Sequence, residues 1–388
     1  MKKLKWILFI AVSAFIVACS SDDDTDNPDE PVVVTARRTV IAYMDGNQVG
    51  NSLPQFLNLD IKEMATGSAK LPADVNLVVF ANIRGEKPYI VELSGGKSKK
   101  VREWESTFLA TNPDSMLSVM QWIIKKYPAY EYATIFGGHG TGSLQEKDTV
   151  ATSLRRAYAY GWDYDNSKAI WMNSQTLGTV MSHLPHMKFV FFDCCLMQDI
   201  EVANHLQNYT DYIIAPVCET PITGAPYEDI VPLLSTSDIE TLCRNIINSY
   251  TTSANICISA LRTSDVANLL DVTREALNEI MPVINYNEEK LYDSEGDKRI
   301  VYYYHRNGSS KPALYELQSI LYDKNQRTYL TDATYQKFLD AIGQCVFYKH
   351  FVTRWINSDS SIFNDFEVTA DNFGGLSISR ETIEEMIK

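Results

Sequence analysis

The sequence predicts an α/β fold built on a mostly parallel central sheet with helices on both faces. Two observations carry that expectation. Short apolar runs recur at 38–44, 75–80, 133–136, 189–192 and 212–215, and segments with helical periodicity separate most of them. Runs that are apolar throughout, rather than alternating, suit parallel strands buried on two faces. Two of the runs also end in reactive residues. Ala133-Thr134-Ile135-Phe136 leads into Gly137-Gly138-His139-Gly140, and Phe189-Val190-Phe191-Phe192 leads into Asp193-Cys194-Cys195-Leu196-Met197. The carboxyl ends of strands in such sheets are where sites form.

In chain order, Arg38 to Met44 reads as the first strand, turning at Asp45-Gly46-Asn47. A helix follows, marked by Leu53, Phe56, Leu57, Leu59 and Met64, with Pro54 in its first turn. Val75 to Phe80 is the second strand of a βαβ unit, and Gly95-Gly96 joins a small hairpin of Tyr89–Leu93 and Val101–Trp104. Asn112-Pro113-Asp114 opens a helix with a capping side chain and proline at its first position; Met116, Met120, Ile123 and Ile124 form its core face. After the His139 strand, Thr141 to Arg156 is polar and unpatterned, and Ala157 to Trp162 alternates as a strand. Ser174 is expected to cap a helix through Leu177, Met181 and Leu184. A helix from Met197 to Leu206 is expected to leave the Cys195 strand directly, and Tyr212 to Ala215 is a short buried strand. Farther on, helices are expected over Asp238–Tyr250, Ser264–Ile280, Ala313–Leu321 and Ala333–Tyr348. Strands are expected at Asn255–Leu261 and Gly374–Ser379. No linker cleanly divides the chain; only the region between Pro282 and Pro312 is looser.

The chain has 388 residues, 45% hydrophobic and 22% charged, ordinary proportions for a globular protein. A net charge of −14 without a basic stripe argues against a nucleic-acid partner. Lys2, Lys3 and Lys5 precede the apolar run Trp6–Val17, which is too short to span a bilayer and reads as a secretory signal. Ile16-Val17-Ala18-Cys19 resembles a bacterial lipobox, which implies a signal peptide over 1–18 and lipidation of Cys19. An acidic tether over 19–36 follows; its Ser-Asp-Asp-Asp run looks like the signal that sends some outer-membrane lipoproteins of Gram-negative bacteria to the cell surface. The remaining cysteines, Cys194, Cys195, Cys218, Cys243, Cys257 and Cys345, show no CxxC or zinc spacing. Buried free thiols are expected for Cys218, Cys243 and Cys257.

A cysteine nucleophile needs a base to make thiolate and donors to hold an oxyanion. His139, framed by glycines at a strand end, suits the first task, and the Gly140 amide suits the second. The other five histidines lie in helical or polar segments without such a frame. A serine hydrolase is unlikely on the residues, because no Gly-x-Ser-x-Gly nucleophile accompanies His-Gly-Thr-Gly.

The Gly-His-Gly and Asp-x-Cys-Leu-Met strand ends resemble the clostripain family of cysteine peptidases, within the caspase-like clan. The resemblance runs from about Val40 to Tyr227 and includes Ile41-Ala42-Tyr43-Met44-Asp45-Gly46, Glu201-Val202-Ala203 and, weakly, the final Gly-Leu-Ser-Ile. A caspase-type spacing of about 50 residues between histidine and cysteine agrees with His139 and Cys195. The resemblance implies a caspase-like α/β/α sandwich, with a peptidase core over 37–234 and an irregular C-terminal part over 235–388 completing it. It makes Cys195 the nucleophile and His139 its partner, with Gly140 and Cys195 amides at the oxyanion. Alternation would point Cys194 to the opposite face. The family cleaves after Arg or Lys, so Asp193 is expected in the substrate-binding S1 pocket, with Glu219 as a candidate second acid. Self-cleavage is expected in the Thr141–Arg156 stretch, which holds Lys147, Arg155 and Arg156; Arg156–Ala157 is the favoured bond. Partners are then peptide substrates with P1 Arg or Lys, the membrane only through the lipid, and no second subunit. No cofactor is expected. Calcium is the ion to consider, through Asp163 and Asp165, although loop aspartates are usually only solvated. The rival reading is a surface lipoprotein of the same fold that binds peptides or glycans without cutting them.

Overall fold

Eleven residues of nearly unbroken burial, β1 (Ala36–Gly46), form the middle of a nine-stranded sheet. A computed structural model describes residues 34–47, 52–146, 156–157, 160–165, 168–284, 301–305, 312–322, 330–357, 362–363 and 366–387. The expected signal peptide, Cys19 and most of the expected tether fall outside them. From Val34 onward the chain is one unit.

The chain runs from β1 through α1 (Leu53–Gly67), β2 (Val75–Ile83), the hairpin β3 (Tyr89–Ser94) and β4 (Lys97–Glu103), and α2 (Pro113–Lys126) to β5 (Ala129–Gly138). Two small antiparallel pairs follow, β6 (Gln145–Glu146) with β7 (Arg156–Ala157) and β8 (Tyr160–Asp165) with β9 (Lys168–Met172). Then come α3 (Ser174–Met181), β10 (Met187–Asp193), α4 (Ile200–Leu206), β11 (Tyr212–Pro216), α5 (Tyr227–Leu233), α6 (Ile239–Ser253), β12 (Ile258–Arg262) and α7 (Val266–Ile284). The C-terminal part contains β13 (Tyr302–His305), β14 (Pro312–Glu316), α8 (Leu317–Tyr322), α9 (Asp332–Cys345), β15 (Val346–His350), the short pair β16 (Ile356–Asn357) and β17 (Ile362–Phe363), β18 (Ser377–Ser379) and α10 (Arg380–Met386).

Strand order is β15-β12-β11-β10-β5-β1-β2-β3-β4. The five middle strands are parallel, and an antiparallel pair closes each edge. Alternate side chains feed two apolar layers, as a sheet covered on both faces requires. Ile41, Tyr43, Val190 and Phe192 join α2, α3, α4 and α7 on one face; Val40, Ala42, Phe189 and Phe191 join α1, α5 and α6 on the other. This is the expected α/β/α sandwich of caspase-like type. At the outer edge β4 (Lys-Ser-Lys-Lys-Val-Arg-Glu) is exposed almost throughout.

Several local expectations are corrected. Leu59 is 47% exposed, and the buried face of α1 runs through Leu57, Asp60, Ile61 and Met64. The cap of α3 is Asn173, whose side chain accepts the Thr176 N–H at 2.7 Å; Ser174 lies one residue inside the helix and bonds His205. No helix begins at Met197, because Asp199 caps α4 through the Glu201 and Val202 N–H groups. Ala313–Leu321 divides into β14 and α8, and Ala333–Tyr348 into α9 and β15, where helix gives way to sheet pairing.

At the amino end of β1, Arg38 is fully buried. It donates to Glu131 Oε2 from Nε at 3.0 Å and Nη2 at 2.8 Å, and from Nη1 to the Leu234 and Thr236 carbonyls at 2.7 and 2.9 Å. Four bonds from one side chain tie β1 to β5 and to the end of α5. Arg38→Leu leaves a partly buried carboxylate and two carbonyls without their donor, so urea denaturation should show a loss of about 3 kcal/mol.

Candidate active site

Strand pairing brings the two reactive ends together. β5 and β10 are parallel neighbours, with Asp193 level with Gly137. Their register changes once. Met187 pairs with Tyr132, but Val190 pairs with Thr134, so β10 carries one extra residue there. Beyond that irregularity, partners are 56 positions apart, and the same separation stands between His139 and Cys195. The two residues leave the sheet edge side by side, each two positions past a matched pair.

Glycines permit the close approach. A Cβ on Gly140 would meet the Cys195 carbonyl oxygen at 2.5 Å and Cys194 Cβ at 2.8 Å, so only glycine lets the two loops interlock. Gly140 bridges Tyr160, but the bridging bond runs from the Gly161 N–H to the His139 carbonyl at 3.0 Å and does not consume the Gly140 amide. Immediately after Cys195, Leu196 takes φ +63°, the only positive value among described non-glycine residues. Its N–H donates to the Cys218 carbonyl at 3.1 Å, which fixes the turn.

The neighbouring cysteines separate as alternation requires. Cys194 is buried in the layer with α2 and α3, its Sγ donating to the Phe136 carbonyl at 3.2 Å. Cys195 packs against the opposite layer and is only partly buried. Its Sγ accepts the Thr220 N–H at 3.3 Å and lies 3.4 Å from Thr220 Oγ1. Burial, and then the charge of Glu219, push the Cys195 thiol up to about 12, against the two Thr220 bonds. Burial lowers the His139 imidazole to about 4, and its ring meets Trp171 edge-on with centroids 6.1 Å apart. Burial thus disfavours the charged form of both groups. All six described cysteines are free thiols.

Asp193 is buried beneath the thiol's strand end. Its Oδ1 accepts the Tyr250 hydroxyl at 2.6 Å; Oδ2 accepts the Tyr227 hydroxyl at 2.9 Å and the Ala225 N–H at 3.0 Å. Desolvation still wins over these three donors and raises the carboxyl. Facing it from α1 is Asp60, 3% exposed and reached by no donor among the described residues. Burial first, then Asp193 and Glu63, raise Asp60 to about 9. Gly224, at φ +64°, lets the two acids converge: a Cβ there would lie 3.0 Å from Asp193 Oδ2 and 3.2 Å from Asp60 Oδ2. Sequence reading missed Asp60 because it counted as one polar residue within an apolar helix. A lone carboxylate inside the Leu57–Ile61–Met64 stripe was the available signal. Glu219, the candidate chosen from sequence, is buried and acts on Cys195 and Cys218.

Asp163 is not the solvated loop residue expected. It is buried in β8, accepting from Asn47 Nδ2 at 2.7 Å, Asn82 Nδ2 at 3.4 Å and the Thr111 N–H at 3.2 Å. No cluster of three or more His, Cys, Asp or Glu among the described residues would hold a metal ion. Arg156 lies in β7, its backbone paired with Glu146. Lys147 and Arg155 fall outside the described residues.

Comparison with known proteins places this geometry. A model of the clostripain family matches residues 42–363. A secreted C11 cysteine protease from Bacteroides thetaiotaomicron, solved with an irreversible peptide inhibitor, is 23% identical with a TM-score of 0.70, over 89% of this chain and 93% of that one. An inactive zymogen C11 protease from Parabacteroides distasonis is 20% identical with a TM-score of 0.71, over 92% and 96%. No curated protein matches the chain.

The raised thiol has a measurable sign. An ordinary cysteine, near 8.5, has largely ionised by pH 9.5, whereas Cys195 forms thiolate only as pH climbs further. Iodoacetamide labelling of Cys195, followed by mass spectrometry, should keep accelerating from pH 7 to 10. A plateau below pH 7 would instead mean a thiolate–imidazolium pair in the resting protein.

Proposed function

This chain belongs to the clostripain family and is a cysteine peptidase; on that premise we propose an endopeptidase that cuts after Arg or Lys with Cys195 and His139. The observation that supports the reading is the β5–β10 register, which ends level at Gly137 and Asp193, two positions before His139 and Cys195. The Cys195 proton passes to His139, and the sulfur attacks the carbonyl carbon of the scissile bond. The Gly140 and Cys195 N–H groups hold the resulting oxyanion. As the C–N bond breaks, His139 returns the proton to the leaving amine, and water then hydrolyses the thioester and restores the thiol.

Specificity for a cationic side chain follows from the acids below the nucleophile. Asp193 keeps acceptor capacity after three neutral donors, and Asp60 has no donor among the described residues. A guanidinium supplies what both lack, and entry of a cation favours their ionised forms. Activation by cleavage at Arg156–Ala157 fits the same preference, and the two-residue pairing of β6 with β7 is a small barrier to opening that strand. Lipidation at Cys19 would tether a monomeric enzyme to the outer membrane at the cell surface. Among the described residues no helix is long and apolar enough to cross a membrane. Burial favours the rival reading of a peptide-binding protein without catalysis, because it opposes charge on both Cys195 and His139. An Arg-chloromethylketone discriminates, since the rival predicts binding without covalent labelling of Cys195.

Cys195→Ala should abolish hydrolysis of Arg and Lys peptides, while Cys194→Ala keeps most of it. Sequencing new N-termini in the same preparations should show Ala157 in the active protein and none in Cys195→Ala. Reversed behaviour of the two cysteine variants would overturn the assignment of the nucleophile.

Asp193→Asn should cost P1-Arg substrates about 2–5 kcal/mol in kcat/KM. Equal turnover of Arg and Leu substrates by the wild type would exclude this role for the carboxylate.

A further inference from the structure

The Cys195 sulfur has a polar neighbour from a loop other than the one that carries His139. Thr220 lies between β11 and α5 and presents two polar groups to one atom, its N–H, which donates at 3.3 Å, and its hydroxyl at 3.4 Å. We propose that Thr220 is a catalytic residue of this chain, holding the Cys195 thiolate through both groups while His139 carries the proton. The inference rests on Cys195 being the nucleophile.

Local sequence and geometry aim the loop. Pro221 follows Thr220 and disfavours helical backbone at the residue before it. On one side the Cys218 carbonyl is tied to the Leu196 N–H at 3.1 Å; on the other the Gly224 N–H closes a turn onto the Pro221 carbonyl at 3.0 Å. Thr220 is thus pinned from both directions against the residue whose sulfur it touches.

The chemistry needs such donors. Glu219 and Cys218 both raise the thiol, so the Thr220 groups work against neighbouring charge as well as burial. In the thiol state the S–H donates to Thr220 Oγ1 or accepts from it. When the proton moves to His139, the S–H electron pair stays on sulfur, which becomes an acceptor only. The Thr220 hydroxyl then donates, joining the N–H, and no covalent bond to Thr220 is made or broken. A buried anion with two fixed donors is far cheaper than one with none.

Thr220→Val keeps the shape and the N–H but removes the hydroxyl; Thr220→Ser restores it; Thr220→Ala replaces the valine variant should that fail to fold. Iodoacetamide labelling of Cys195 between pH 7 and 10 should slow about tenfold in Thr220→Val, as expected for losing a hydrogen bond to a charged group. Thr220→Ser should stay within about twofold of the wild type, since it restores that bond. With an Arg peptide, kcat should fall by a similar factor while KM barely moves. A folded Thr220→Val with wild-type labelling at every pH overturns the proposal. If labelling slows as expected but the wild type hydrolyses no peptide, the thiolate role stands and the peptidase reading fails.

Discussion

The one extra residue in β10 sets the site. Before it, partners on β5 and β10 stand 55 positions apart; after it they stand 56 apart. With the first spacing, His139 would be level with Cys194, whose side chain faces the α2 and α3 layer and is spent on the Phe136 carbonyl. With the second it is level with Cys195, which turns the other way. Strand periodicity is two, so a shift of one residue moves a side chain to the opposite face. The choice between two identical neighbouring residues is made several positions upstream of either. The glycines, the turn at Leu196 and the acids beneath all presuppose that choice.

The parallel core was legible because its strands are apolar on both faces. Runs such as Phe189–Phe192 and Val75–Phe80 have no other plausible fate in a chain of this composition. The α2 cap was legible too: Asn112 accepts from the Asp114 and Ser115 N–H groups, and Pro113 occupies the position where no N–H is needed. What escaped were features that depend on two segments at once. The register change in β10 needs β5 opposite it. Asp60 belongs to the site only because α1 packs where Asp193 ends. Ala313–Leu321 has apolar spacing that suits a helix, yet β18 pairs with its first residues and holds them as strand. The choice of Cys195 as nucleophile came from family resemblance; that Cys194 and Cys195 separate onto two faces could be read from alternation.

Around the pair of candidate reacting groups the charge is one-sided. Asp60, Asp193 and Glu219 are all buried near it. Burial raises Asp193, and burial together with Asp193 raises Asp60, so these two resist ionising. Tyr227 and Tyr250 soften that cost with neutral hydroxyls instead of with a resident lysine or arginine.

The exposed outer strand β4 has a meaning for life among other copies. A sheet that ends in a free strand offers unpaired N–H and C=O groups to any similar edge. Here that edge carries Lys97, Lys99, Lys100 and Arg102 within seven residues. Two such edges repel before their backbones can pair. Edge-to-edge pairing at this margin is thereby disfavoured by charge alone, without enlarging the core.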